Sequence, residues 1–246
     1  MNELSAISRR VALWAMVAGG AWSQSAGPNR PARVSGAGGM PFARGEVLNY
    51  SVNWPSGLSL GEAQLKAGGG EPGWEFEFSL EAGVPGLEVR DRYHASTDAQ
   101  LCSVRLDKES VHGPRKARET VTCDREKRVA VRQTLGGGKS EVSIPDCVKD
   151  GLTFLYFLRR ELAGGRMPPS QTVIFGAPYE VTARYADSPQ IEVSGMRQPA
   201  DRILVSFRGP ASSHTFEIYF GRDPARTPLL VRAPFALGTF ALELVR

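Results

Sequence analysis

From Leu48 to Trp54 the chain alternates strictly. Leu48, Tyr50, Val52 and Trp54 are apolar or aromatic, and Asn49, Ser51 and Asn53 between them are polar. Successive side chains of a β-strand project to opposite faces, so a period of two builds a strand with one oily and one wet face. Pro55, Ser56 and Gly57 interrupt the run, and Leu58 and Leu60 resume it. That is the pattern of two antiparallel strands joined by a turn.

The pattern recurs along the chain. Trp74, Phe76, Phe78 and Leu80 alternate with Glu75, Glu77, Ser79 and Glu81; Ile203, Val205 and Phe207 follow the same rule, as do Phe216, Ile218 and Phe220, and Phe240, Leu242 and Leu244. Alternation with one wet face is the habit of antiparallel sheets. Gly68 to Gly70 and Gly136 to Gly138 fall between such runs and serve as turns, and the totals of 27 Gly and 17 Pro suit many short connections. Neither Gly cluster has the full Gly-x-x-x-x-Gly-Lys-Ser/Thr arrangement of a phosphate loop, so nucleotide binding is not expected. One segment departs from the rule. In residues 150–163 Asp150 is placed to cap a helix, Arg159 and Arg160 lie near its negative end, and Gly164, Gly165, Pro168 and Pro169 stop it. Its apolar residues cover most of the circumference, so the helix must be largely buried. The expected fold is therefore mainly β: a curved antiparallel sheet, as an open or closed β-barrel-like structure, with one central helix in its hollow as plug or lid.

The ends and the cysteines set the compartment. Arg9 and Arg10 precede a short apolar run, Val11 to Trp22, with small residues Ala21 and Ser23 placed for cleavage. Twelve residues are too few to span a bilayer core, which needs roughly 20. Residues 1–23 read as a signal peptide of the general secretory or the twin-arginine kind, 24–40 as a flexible tether, and 41–246 as a single β-rich domain. The expected product is periplasmic or secreted and does not span the membrane. Losing Arg9, Arg10 and Glu3 lowers the formal charge from +4 to +3. An oxidising compartment favours one disulfide among Cys102, Cys123 and Cys147. With His112 and Gly113 centring a hairpin turn, Cys102 and Cys123 stand opposite one another, so Cys102–Cys123 is the first expectation and Cys102–Cys147 the alternative. The cysteines lack the spacing of a metal site, and neither metal nor cofactor is expected.

Tyr50, Trp54, Trp74, Phe76 and Phe78 should share one concave face, and with Phe154 and Phe157 from the helix they are the candidate lining of an apolar cavity, where each buried CH₂ contributes about 0.8 kcal/mol. Residues 105–139 hold ten Lys and Arg against five acids. Arg115, Lys116 and Arg118 are the candidate contacts to an anionic envelope surface, the plainer reading being a solvated hairpin; nothing demands nucleic acid. His112 reads as a turn residue, and His214 stands beside serines outside any nucleophile elbow. His94 with Asp98, and Glu75 with Glu77 about 6–7 Å apart on one strand face, are the candidates for acid–base work, and all four also fit an exposed strand surface.

Further residues carry a family likeness. Pro41-Phe42, Gly45-Glu46, the alternating strand, Gly57 and Gly61-Glu62-Ala63 resemble the opening of a bacterial exported family, domain of unknown function 3108. Asp150 to Arg159 is similar to its central helix motif, an Asp, an apolar run and a terminal Tyr/Phe-Leu-Arg. Phe216 to Phe220, Asp223, Pro228 to Val231 and Gly238 to Leu244 are similar to its closing strands. Pro55 in the first turn departs from that pattern. The resemblance implies a periplasmic or secreted β-rich protein and brings no catalytic residues; in architecture it is loosely like the curved half-barrels that carry lipids or lipoproteins across the periplasm. The leading expectation is a non-enzymatic protein binding a lipid or other hydrophobic ligand in the sheet hollow. The alternatives are an envelope assembly factor acting through its basic hairpin and an envelope hydrolase using His94 and Glu77.

Overall fold

The computed structural model describes residues 39–84, 87–209, 213–235 and 238–245, so the expected signal segment 1–23 and the expected tether up to residue 38 lie outside the described residues. The first half of the chain is a meander of β1 (Glu46–Asn53), β2 (Ser59–Gly68), β3 (Trp74–Val84), β4 (Leu87–Thr97), β5 (Ser103–His112), β6 (Arg115–Asp124), β7 (Val129–Thr134) and β8 (Lys139–Ser143). Two-residue β9 (Lys149–Asp150) leads into the helix α1 (Gly151–Ala163). Then follow β10 (Gln171–Ile174), β11 (Pro178–Asp187), β12 (Gln190–Val193), β13 (Met196–Arg208), β14 (Ser213–Gly221), β15 (Pro228–Phe235) and β16 (Gly238–Val245). β1 pairs with β16, which joins the halves into one curved sheet of order β8-β7-β6-β5-β4-β3-β2-β1-β16-β15-β14-β13-β11-β10-β9, with β12 attached to β13 alone.

Alternation explains why these segments are strands. In β3, Trp74 and Phe76 are buried and Glu75 and Glu77 exposed; in β16, Leu242 and Leu244 are buried. The first turn is built as the sequence suggests: the Gly57 amide donates to the Trp54 carbonyl at 2.8 Å, and Pro55 occupies the second turn position, where its fixed φ is favoured. Gly61, in β2, has a packing reason. A Cβ there would collide with the Glu81 carbonyl oxygen on β3.

Two expectations are corrected. The sheet is antiparallel except for β9 and β10, which run parallel because α1 is the crossover between them. The β5–β6 hairpin turns on Gly113-Pro114, with His112 opposite Arg115, rather than on His112-Gly113. That slip of two positions takes Cys102 away from Cys123. The disulfide is instead Cys102–Cys147, the alternative pairing, and Cys123 is a free thiol.

The sheet does not close, but it curls until its β9 end returns to the start of β5. There the Ser103 amide donates to the Val148 carbonyl at 2.9 Å, beside the disulfide. β6, β7 and β8 continue past this junction. Because the strands alternate in direction, the β3–β4, β5–β6, β7–β8, β10–β11, β13–β14 and β15–β16 connections share one end of the curl, and α1 sits toward the other.

Candidate functional site

The helix is tied down at both ends. Asp150 caps it, accepting from the Leu152 and Thr153 amides at 2.9 Å each. Its other oxygen accepts from the Ser103 and Thr153 hydroxyls at 2.6 Å, and Ser103 in turn accepts from the Asp150 amide. Burial raises the Asp150 pKa, opposed by those hydrogen bonds. Toward the far end Arg159 is fully buried. Its guanidinium donates twice to the Glu46 carboxylate, at 2.6 and 2.8 Å, and once to the Ala225 carbonyl at 3.1 Å, over the rings of Phe42 and Tyr156. With its first turn fixed to β5 and its last to β1, α1 is a plug and not a hinged lid.

The expected aromatic stripe divides at the level of the plug. Trp74 and Phe76 do not line an open space: Phe76 stacks on Tyr156 with centroids 3.9 Å apart, and Phe42 packs edge-on against Trp74, Phe76 and Tyr156 at 5.0, 5.8 and 4.9 Å. Phe157 faces Lys149 and Arg160. Trp54 stands past the end of β1 against Phe240, at 4.7 Å. These four belong to packing. Tyr50, Phe78 and Phe154 do line a cavity of about 700 Å³ between α1 and the sheet. Leu155 and Leu158 of α1, with Val205, Phe207, Ile218 and Val231 of β13 to β15, complete its apolar wall. Leu135 and Gly136 of the β7–β8 turn and Gly176 of the β10–β11 turn place its rim at the end away from the plug.

One wall is charged. Lys108, Glu119 and Arg132 form a bridge with N–O distances of 2.9 Å to Lys108 and 2.6 Å to Arg132. Lys108 also lies 4.0 Å from the Phe175 ring centroid. Burial pushes the Glu119 carboxyl up, but Lys108 and Arg132 outweigh it and hold the pKa low. Lys116 and Arg118, expected only as surface contacts, also border the cavity; Arg115 is exposed nearby. Arg118 pairs with Glu109 at 2.6 Å. His214 borders the cavity, nine-tenths buried, with neither ring nitrogen bonded among the described residues. Burial lowers its pKa, against the Ser213 backbone.

The acid–base candidates lie elsewhere. His94, Glu75 and Glu77 are on the outer face of the sheet, His94 3.8 Å from Glu75 and Glu77 3.6 Å from Lys66. Asp98 instead accepts from the Gln100 and Cys102 amides. His112 is no exposed turn residue: it ends β5, buried, 3.0 Å from the buried Asp91. Among the described residues no three His, Cys, Asp or Glu side chains converge on a metal position, and no helix is long and apolar enough to cross a membrane.

Sequence reasoning missed Glu46, Phe42, Lys108, Glu119 and Arg132. The family likeness held a signal for two of them, since Phe42 and Glu46 stand in its opening motif and Arg159 closes its helix motif, and the structure brings these motifs together. The model of the family described as "Protein of unknown function (DUF3108)" matches residues 49–245. The chain belongs to that family. No curated protein matches it. Among solved structures, this DUF3108 chain is similar in fold to a β-barrel-like protein of domain of unknown function DUF1849 from Brucella abortus, at 8% identity and a TM-score of 0.59, over 81% of this chain and 95% of that one.

Proposed function

We propose that this DUF3108 protein is exported, is not an enzyme, and binds a hydrophobic ligand of the acyl-chain kind in the hollow between the sheet and α1. The observation that carries the reading is the cavity itself. At about 700 Å³ it has the size of a small-molecule site, and its walls are mainly aliphatic and aromatic. Interiors close-packed for stability alone leave few voids larger than a water molecule. Export is supported by the Cys102–Cys147 bridge, of a kind that persists in oxidising compartments, and by the charged-then-apolar start of the chain. The non-enzymatic part is supported by the histidines: His112 is engaged by Asp91, and His94 stands on the outer face beside Glu75.

Native mass spectrometry of protein purified from cells should reveal a co-purifying lipid-like mass, and a fluorescent fatty acid should bind saturably at one site. A bare polypeptide mass together with no saturable binding would refute the proposal. The basic hairpin supports a second reading, contact with anionic envelope polymer, because Arg115 and Lys116 are exposed and have no ion-pair partner among the described residues. Exchanging both for Glu should abolish co-sedimentation with that polymer; unchanged co-sedimentation removes the reading.

A further inference from the structure

The charges around the hollow are one-sided. The charged residues bordering it are Lys108, Lys116, Arg118, Glu119 and Arg132, four cations against one carboxylate, and all five belong to β5, β6 and β7. Glu109 on the outer face engages Arg118, and the buried Asp91 makes its contact with His112, at 3.0 Å, rather than with Lys108 or Arg132. Glu119 is thus shared by Lys108 and Arg132, two cations on one carboxylate, with the Lys108 side chain 13% and the Arg132 side chain 39% exposed. An excess charge beside an apolar space is costly unless something of opposite sign reaches it. The opposite wall has no charged side chain among the described residues lining the hollow; beside Tyr179 it holds His214, a buried imidazole with a donor and an acceptor still to be satisfied.

We infer that the ligand is an amphiphile with an anionic headgroup, held by Lys108 and Arg132 while its chain lies against Phe154, Leu155 and Phe207. The inference rests on the hollow being a ligand site and adds the class of ligand. Lys108 supplies a point charge and Arg132, whose Nε and Nη2 hold Glu119, its remaining Nη1 donors, together suited to a carboxylate or a phosphate oxygen. His214 offers a neutral hydrogen bond to a further oxygen.

Calorimetric titration of the full chain with decanoate, decanol and decylamine tests this, the three sharing one alkyl chain. Decanoate should bind at least about tenfold tighter than decanol, with decylamine weakest. In the variant Lys108→Met/Glu119→Gln/Arg132→Met, which removes the charges together, decanol affinity should persist and decanoate should fall to within about twofold of it. A short-chain phosphatidate in the same series separates the sources: tighter binding than decanoate assigns a phospholipid headgroup, weaker binding a free fatty acid. Equal affinity for decanoate and decanol in the unaltered protein, which needs no variant to fold, removes the headgroup assignment and keeps the hollow as a site. No binding by any of them removes both.

Discussion

Two buried cations show what single residues contribute. Arg159 is covalently ordinary for a helix end, and its type and position suggest a dipole partner. Its actual counterpart, Glu46, is 113 residues away, a distance that no local pattern encodes. Removing one partner of a buried pair leaves the other charge stranded. Arg159→Met should therefore lower stability by about 3–5 kcal/mol, and adding Glu46→Gln should restore part of the loss, as read from urea midpoints. Lys149 is the opposite case. It is buried over Phe157 with no carboxylate in ion-pair contact among the described residues, and burial first, then Arg160, brings its pKa from 10.5 down to about 8 against the weaker pull of Asp98 and Glu161. Between those values the unfolded chain holds more protons, so this group's contribution raises stability as pH climbs through that window and is flat below it. Lys149→Met should be more stable than the unaltered chain at about pH 7, by on the order of 1–2 kcal/mol after losing the ring contact, with the gap narrowing by about pH 9.5. A gap that is constant or widens with pH would contradict the assignment.

At the scale of elements, β1, β3, β14 and β16 were legible because half their side chains enter the core, and that imprints a period of two. β8 was not: it is a short edge strand, Lys139–Ser143, with Val142 its lone apolar residue. β9 has two residues and exists because β10 and the disulfide position it. The helix was legible in extent, cap and burial, yet its place as crossover and fixed plug depends on contacts between distant segments. The bridge closes a loop with a sequence separation of 45, for which the chain-entropy account gives about 4 kcal/mol. Replacing Cys102 and Cys147 by Ala should lower stability by about 2–4 kcal/mol and loosen the first turn of α1. Faster amide exchange at Leu152 and Thr153, whose amides Asp150 holds, would register that loosening; unchanged exchange there would show that Ser103 and Asp150 suffice. Cys123 should stay unalkylated in the folded protein, because burial and then Asp150 push its thiol up to about 12.

For the whole molecule, the curl of the sheet decides which aromatic residues border the hollow. Sequence places Tyr50, Trp54, Trp74, Phe76 and Phe78 on one face, but it has no measure of where β1 ends, which puts Trp54 against Phe240, or of how deep the plug reaches. Phe42, which precedes β1, and Tyr156 fill the space over Trp74 and Phe76, while Phe78, one step further along β3, is left beside the cavity. With α1 fixed at one end, the proposed ligand would have to enter at the turn-bearing end. That route is open to a thiol probe, since the protein's own free thiol is suppressed. Leu155→Cys puts a thiol on the cavity side of α1, whereas Phe157→Cys puts one in the packed zone by Lys149. A small maleimide should label the first at least about tenfold faster than the second in the folded state, and saturating decanoate should slow the first alone. Equal slow labelling of both would mean that the hollow is sealed, and equal fast labelling that α1 leaves its seat; either result would contradict a fixed plug beneath an accessible hollow.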